Sequence, residues 1–144
     1  MPYVAGKIHG KAANFQITDS GGTLRDISGD VSEVQGIPAT TEVAETTGLG
    51  ATAKTYIPGL NDVKFSIKGQ YNDTALSGSW TVLQGIRGLA AKAFQFGPSG
   101  TTVGAVKITG NAILTDLKLT ANLKDVVLFD ATFQGSGDLT FGVF

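Results

Sequence analysis

The run in this chain whose residue types and spacing come nearest to a chemical signature is GLGATAKT, residues 48–55. A phosphate-binding loop reads G-x-x-x-x-G-K-[ST]. Gly48, Lys54 and Thr55 stand in register with it, and Ala53 takes the place of the second glycine. Such a loop holds phosphate when it leaves a buried strand and opens a helix, whose first N–H groups point at the ligand. Here the preceding TTEVAETT is too polar for a central strand, and Tyr56-Ile57-Pro58-Gly59 breaks any helix in its first turn. The sequence therefore argues against nucleotide binding. His9 is the single histidine, and no G-x-S-x-G elbow supplies a nucleophile for it to activate. Asn61-Asp62 and Asn72-Asp73 could offer oxygens to a calcium ion, but neither has the spacing of a dedicated loop and both suit turns. Tyr56, Tyr71 and Trp80 are the aromatics a carbohydrate platform would use, yet Trp80 falls on the apolar side of a helical pattern, a core position. With 0 cysteines there is no thiolate metal site, no cysteine nucleophile and no disulfide framework. The expectation is a protein that is not an enzyme and uses no metal or cofactor.

The elements that would position these residues are mostly strands. Glycine is 20 of 144 residues, about twice the usual share, and 42% of residues are hydrophobic. That pairing points to many short strands joined by tight turns in one domain covering residues 1–144. Val63, Phe65 and Ile67 alternate with lysines and a serine, as do Phe129, Ala131 and Phe133 with Asp130, Thr132 and Gln134. Leu139, Phe141 and Val143 repeat the pattern at the end of the sequence. The segment starting at Val106 and Ile108 continues through Ala112 and Leu114, then shifts phase to Leu117 and Leu119, which predicts a bulge near Thr115 or Asp116. Turns are expected at Asp19-Ser20-Gly21-Gly22, at Gly97-Pro98-Ser99-Gly100 and at Gly135-Ser136-Gly137-Asp138, giving a meander.

Helical spacing of Trp80, Leu83, Ile86 and Ala90 predicts one helix over residues 79–91, capped by Ser77 or Ser79. The architecture implied is a β-sandwich or barrel-like sheet with one flanking α-helix. Residues 36–55, small, polar and glycine-spaced, fit neither period. They read as a loop ordered by a partner, or as a long hairpin reaching away from the body with Gly48-Leu49-Gly50 at its tip. A net charge of -1, with basic residues scattered singly, leaves no electrostatic footprint for nucleic acid. No stretch approaches the roughly 20 apolar residues of a membrane span, so no membrane partner and no signal peptide are expected.

The stretch EVAETTGLGATAKTYIPGLNDVKFSIKGQYND, residues 42–73, resembles the major tail tube proteins of long-tailed bacteriophages with non-contractile tails. The resemblance rests on Glu42, Glu45, Thr46 and Thr47, followed by Lys54, Tyr56, Ile57, Gly59, Leu60 and Asp62. The opening FQITDSGGTLRDIS, residues 15–28, is similar to such proteins too. It implies a β-sandwich with a flanking helix, forming rings of six that stack into a tube. The implied partners are copies of the chain itself, other tail proteins and DNA passing non-specifically through the lumen. The implied location is the virion tail, made in the host cytoplasm. Within that resemblance Glu42, Glu45, Thr46, Thr47, Gly48, Leu49, Gly50, Lys54, Tyr56 and Ile57 are the candidate inter-subunit contacts. Two other classes share the composition. A capsid decoration protein would bind a shell as trimers or monomers. A monomeric β-sandwich ligand-binding module would need an exposed aromatic platform or a metal site.

Overall fold

The computed structural model describes residues 6–37 and 40–144; residues 1–5 and 38–39, the latter inside the 36–55 segment, lie outside the described residues. The strands are β1 (Asn14–Thr18), β2 (Leu24–Asp26), β3 (Val31–Gln35), β4 (Thr40–Glu45), β5 (Tyr56–Asp62) and β6 (Lys64–Gln70), followed by helix α1 (Ser79–Ile86). Strands β7 (Lys92–Gly97), β8 (Val106–Thr120), β9 (Leu128–Gly135) and β10 (Thr140–Val143) complete the order. Eight of the strands form one antiparallel sheet in the order β2-β1-β7-β8-β9-β6-β3, with β10 also on β8. This is not a meander: β1 pairs with β7 and β6 with β9 across long stretches of sequence. Local alternation shows which segments are strands but carries no information on their partners.

Alternation fixes which face is buried. Phe15, Ile17, Phe65, Ile67, Phe94, Ala112, Leu114, Phe129, Ala131 and Phe133 all point to one face and are buried. Three strands lie between β1 and β6, yet the Phe15 and Phe65 rings are 6.0 Å apart, and Phe65 stacks on Phe133 at 4.9 Å. Hence the sheet folds over so that its apolar face surrounds the core. Closure is incomplete, since no ladder joins β1 to β3. A cleft of about 490 Å³ opens between them, lined by Asn14, Phe15, Ser28, Val31, Val34 and Phe96 among others. The Ser28 hydroxyl accepts the Phe15 amide at 2.7 Å and donates back to the Phe15 carbonyl at 3.2 Å, satisfying part of that free edge.

The expected bulge is present. The β8–β9 register shifts between Leu114 and Asp116, and the Thr115 hydroxyl donates to the Thr132 carbonyl at 3.0 Å. The shift turns both Leu114 and Leu117 toward the core, while Leu119 lies beyond it and is exposed.

Several expectations are corrected. The helix is shorter than 79–91, ending at Ile86 with Arg87 extended and Gly88 at φ 78, so Leu89 and Ala90 are exposed outside it. Its N-cap is Gly78, which supplies no side chain. The buried Ser79 amide donates instead to the Asp30 carboxylate at 3.2 Å, and the Trp80 amide to the Asn72 carbonyl at 2.9 Å. Trp80 is half-buried against Tyr71 rather than in the core. The core face of α1 is Val82, Leu83 and Ile86. The last strand does not fold back on β9. β9 and β10 share one edge of β8 end to end, β9 along Ala112–Thr120 and β10 along Val106–Thr109, and Phe141 and Val143 of β10 are exposed. The β7–β8 hairpin forms, but its loop runs on to Ala105, so Val103 is exposed outside the strand.

Candidate assembly interface

The 36–55 segment does not remain a loop. β4 and β5 pair with each other as a separate two-stranded sheet, in register from Thr40 opposite Asp62 to Glu45 opposite Tyr56. Every described residue of both strands is exposed, so the hairpin is an arm with no face against its own body. Pro58, which lacks an amide, is tolerated because both strands are edges. Between Thr41 and Val43 the register shifts, so Gly59 and Leu60 together oppose Glu42. Val43 and Pro58, a directly opposed pair, share one face with Glu45 and Tyr56, while Ala44 and Ile57 occupy the other.

At the tip, threonines do the work that a phosphate would do in a nucleotide loop. The Thr46 amide donates to the Thr55 carbonyl at 2.7 Å, their hydroxyls meet at 2.9 Å, and the Thr55 amide donates to the Thr47 hydroxyl at 3.0 Å. Gly50 at φ 82 completes the reversal, and a strand rather than a helix follows. The glycine and lysine of GLGATAKT belong to a hairpin tip.

The root is where the arm meets the body. Gly36 sits at φ 105, and a Cβ there would lie 2.5 Å from the Lys64 carbonyl oxygen, so the close approach of the two chains needs glycine. On the other side Val63 is buried, and its carbonyl accepts the Gly135 amide at 2.6 Å. The Gln134 side-chain amide donates to the Asp62 carboxylate at 2.7 Å and to the Val63 carbonyl at 3.2 Å. β5 therefore runs into β6 with only Val63 between them.

All ten candidate contacts, from Glu42 to Ile57, lie on this arm and all are exposed. Val43, Pro58 and Leu60 belong to the same surface, with Val43 63% and Leu60 79% exposed. The other candidate chemistries stay apart. His9 accepts the Lys11 amide on Nδ1 and caps a 3₁₀ turn at Gly10–Ala12. Asn61 and Asp62 lie in β5 rather than in a turn, bonded to Thr41 and Gln134. The Asn72 side chain bonds Thr74 and Asp30, closing the loop before α1. Among the described residues, no three His, Asp or Glu side chains converge as metal ligands, and no helix is long and apolar enough to cross a membrane.

The other face of the sheet is mostly polar, with Leu24, Ile113 and Leu128 standing exposed among its polar residues. Directly paired residues form one row of Asp26, Gln16, Gln95, Thr109 and Thr140, and another of Glu33, Lys68, Asp130 and Lys118. The second row alternates in sign across four strands, which suits cross-strand attraction. At the β1–β2 turn, the Arg25 guanidinium beside Asp19, at 2.8 Å, holds its carboxyl below the ordinary range, helped by the Thr23 and Gly21 amides. For Asp26, burial raises the carboxyl, but hydrogen bonds from Ser28 and Asn14 outweigh it and lower it overall.

No known family model and no curated protein sequence matches the chain. Solved structures do match, over nearly its whole length. A subunit of the tail of an empty gene transfer agent particle, refined helically with C6 symmetry, superposes at TM-score 0.72. It is 14% identical and covers 95% of this chain and 100% of its own. The SPP1 tail tube gives 0.73 at 9% identity, covering 96% of this chain and 81% of that one. The chain carries the tail-tube fold. A sheath–tube complex of PVC, an extracellular contractile injection system in its extended state, gives 0.69 at 14% identity, covering 98% and 95%. The tail-tube fold is thus shared with a contractile system and is broader than the non-contractile tails the sequence resembles. In this chain its two distinguishing surfaces are the bare arm and the polar sheet face.

Proposed function

We propose that the chain is a non-enzymatic structural subunit that assembles with its own copies into stacked six-membered rings, the tube of a virion tail. The observation that carries this reading is the β4–β5 arm. An isolated two-stranded hairpin is marginal in water. This one nevertheless presents Val43, Tyr56, Ile57 and Leu60 exposed, with nothing among the described residues of its own chain covering them. Covering such side chains is worth about 1.5–3 kcal/mol each when complete, so the arm is built for a partner surface. Glu42, Glu45 and Lys54 supply charge for register, and the Thr46, Thr47, Gly48, Leu49 and Gly50 tip supplies shape. The C6 symmetry of the similar gene transfer agent tail supports six subunits per ring, and the PVC sheath–tube complex supports further tail proteins as partners. The polar sheet face, mixed in sign and free of basic runs, suits a wall past which DNA slides without being held. Assembly takes place in the host cytoplasm.

The test is assembly itself. Purified protein is imaged in negative stain and followed by light scattering over a range of salt. Rings and tubes are expected from the intact chain, and a folded monomer from a variant lacking about ten residues around Gly48. Monomer under every condition, with no rings, overturns the reading. Hydrogen exchange adds the dynamic half: arm amides in the free subunit exchange faster than those of β6 and become protected in the tube. Equal protection of arm and β6 in the monomer would show that the arm is not ordered by assembly.

A further inference from the structure

We infer that Pro58 is a block that holds the arm off its own body and so keeps it free for a partner. The lane it guards lies beside β10. β9 and β10 follow one another along one edge of β8, and on its other side β9 pairs with β6. The last bond of that pairing is the Gly135 amide to the Val63 carbonyl, and before Val63 in the chain lies β5. A straight extension of β6 would therefore lay β5 beside β10. Instead β5 pairs only with β4, and β10 only with β8, which leaves an open edge on each. The β10 edge is apolar on the side continuous with the core: Phe141 and Val143 are 62% and 61% exposed, and Val143 pairs with the exposed Val106. Open apolar edges lying one bend apart zip together unless something prevents it.

The two edges match in register. Ala112 of β8 stands opposite Gly135 and Thr109 opposite Thr140, so Thr140 lies level with the third residue back from Val63, which is Leu60. Gly59 and Leu60 share one place opposite Glu42, which brings Pro58 level with Phe141 and Tyr56 level with Val143. The backbone groups point the right way too. The Phe144 amide donates to the Ala105 carbonyl and its carbonyl accepts the Gly104 amide, both at 2.9 Å, so they face the β8 side. Alternation along the strand turns those of Val143 and Phe141 outward, into the lane. The bond from the Thr46 amide turns the Thr55 carbonyl toward β4, so the backbone groups of Tyr56 and Pro58 that alternate with it also face outward. Stowed in this lane, β5 would set Tyr56 against Val143 and Pro58 against Phe141, in one apolar surface with Val106 and Val43. One atom is missing. Pro58 has no N–H, so the Phe141 carbonyl facing it would lose water and gain no donor. A proline so placed confines its strand to an edge. The register is complete except at the residue that spoils it, and the arm stays out.

Pro58→Ala restores the missing donor and keeps a small apolar side chain. In the free variant, below the concentration of assembly, the amides of Tyr56, Phe141 and Val143 should exchange about five- to tenfold more slowly than in the parent, the weight of one added hydrogen bond. That protection should not depend on protein concentration, as befits a contact within one chain. A second variant, Pro58→Ala with Val143→Pro, moves the block to the opposite edge, where the Val143 amide points away from β8. Its Tyr56 and Phe141 amides should exchange as the parent's do. The consequence for assembly rests on the tube reading: Pro58→Ala should form tubes more slowly by a similar factor, because only subunits with a free arm can engage. Unchanged exchange at Phe141 and Val143 in Pro58→Ala, protection that survives in the double variant, or a stowed arm with assembly at the parental rate overturns the inference. The exchange measurement needs no assembly, so absence of rings and tubes from the parent chain overturns the tube reading alone.

Discussion

Asp30 joins three parts of the molecule, and its removal gives a stability change that can be worked out in advance. Its carboxylate accepts the Asn72 side-chain amide and the buried Ser79 amide, each at 3.2 Å. α1 has no side-chain cap of its own, so this long-range carboxylate is what satisfies the first amide of the helix. Truncation to alanine removes a capping interaction worth about 1 kcal/mol and a negative charge at the helix N-terminus worth about 0.3–1 kcal/mol. The lost hydrogen bond to Asn72 adds about 0.5–1.5 kcal/mol. Asp30→Ala should therefore cost about 2–3 kcal/mol, which for a domain of this size lowers Tm by roughly 6–12 °C. Asp30→Asn keeps one acceptor and the shape but loses the charge, so it should fall about midway. The assay is urea denaturation followed by circular dichroism at a concentration below assembly, with thermal melts alongside. Hydrogen exchange should show loosening at Leu76 and Ser77, whose loop is tied down through Asn72. If Asp30→Ala unfolds within about 0.5 kcal/mol of the parent, the helix start is held by something other than this carboxylate and the reasoning fails.

Gly36→Ala should cost about 2 kcal/mol or more, because a positive φ and a collision with the Lys64 carbonyl act together; equilibrium unfolding reads it directly. Phe65→Ala, in the middle of the ring cluster, should cost about 3–5 kcal/mol and broaden the near-ultraviolet spectrum. Asp19 and Asp26 have folded-state carboxyls below their unfolded value, so the stability they contribute is complete above the ordinary carboxylate range and is lost as pH falls through the depressed folded values. Urea midpoints should drop as acid is added below about pH 4, and Asp19→Asn should flatten that slope. Calorimetry with ATP and magnesium should show no binding, and saturable micromolar affinity abolished by Lys54→Ala would refute the reading of GLGATAKT as a hairpin tip.

Where one face of a strand is buried, the sequence is legible. Val63, Phe65 and Ile67, and Phe129, Ala131 and Phe133, declare their faces because a period of two leaves no freedom. The Leu114-to-Leu117 phase change declares the bulge at Thr115 by the same logic. The pairing of β10 with β8 was not legible, since Leu139, Phe141 and Val143 alternate equally well whichever strand they join and whether or not that side is covered. Helical spacing ran on to Ala90 because periodicity does not register a glycine turning left-handed at Gly88. The cap from Asp30 escaped notice because it acts over 49 residues of chain. For the arm, composition alone admitted both a loop and a hairpin. Its strands bury nothing, so the pattern that marks strands elsewhere is missing from them.

The near-continuity of β5 and β6 has a mechanical side. A load applied to the arm enters the body along the strand axis, where β6 is flanked by β3 and β9 in antiparallel register. The hydrogen bonds of those ladders lie across the pull. They must slide past one another together instead of opening one at a time, as they would if the arm left at right angles. Tension along a stack of such subunits would thus be carried strand to strand by whole ladders acting in parallel, with Val63 as the coupling between one subunit's grip and its core. The lifetime of such a joint under force is set by the unfolding rate of the sheet.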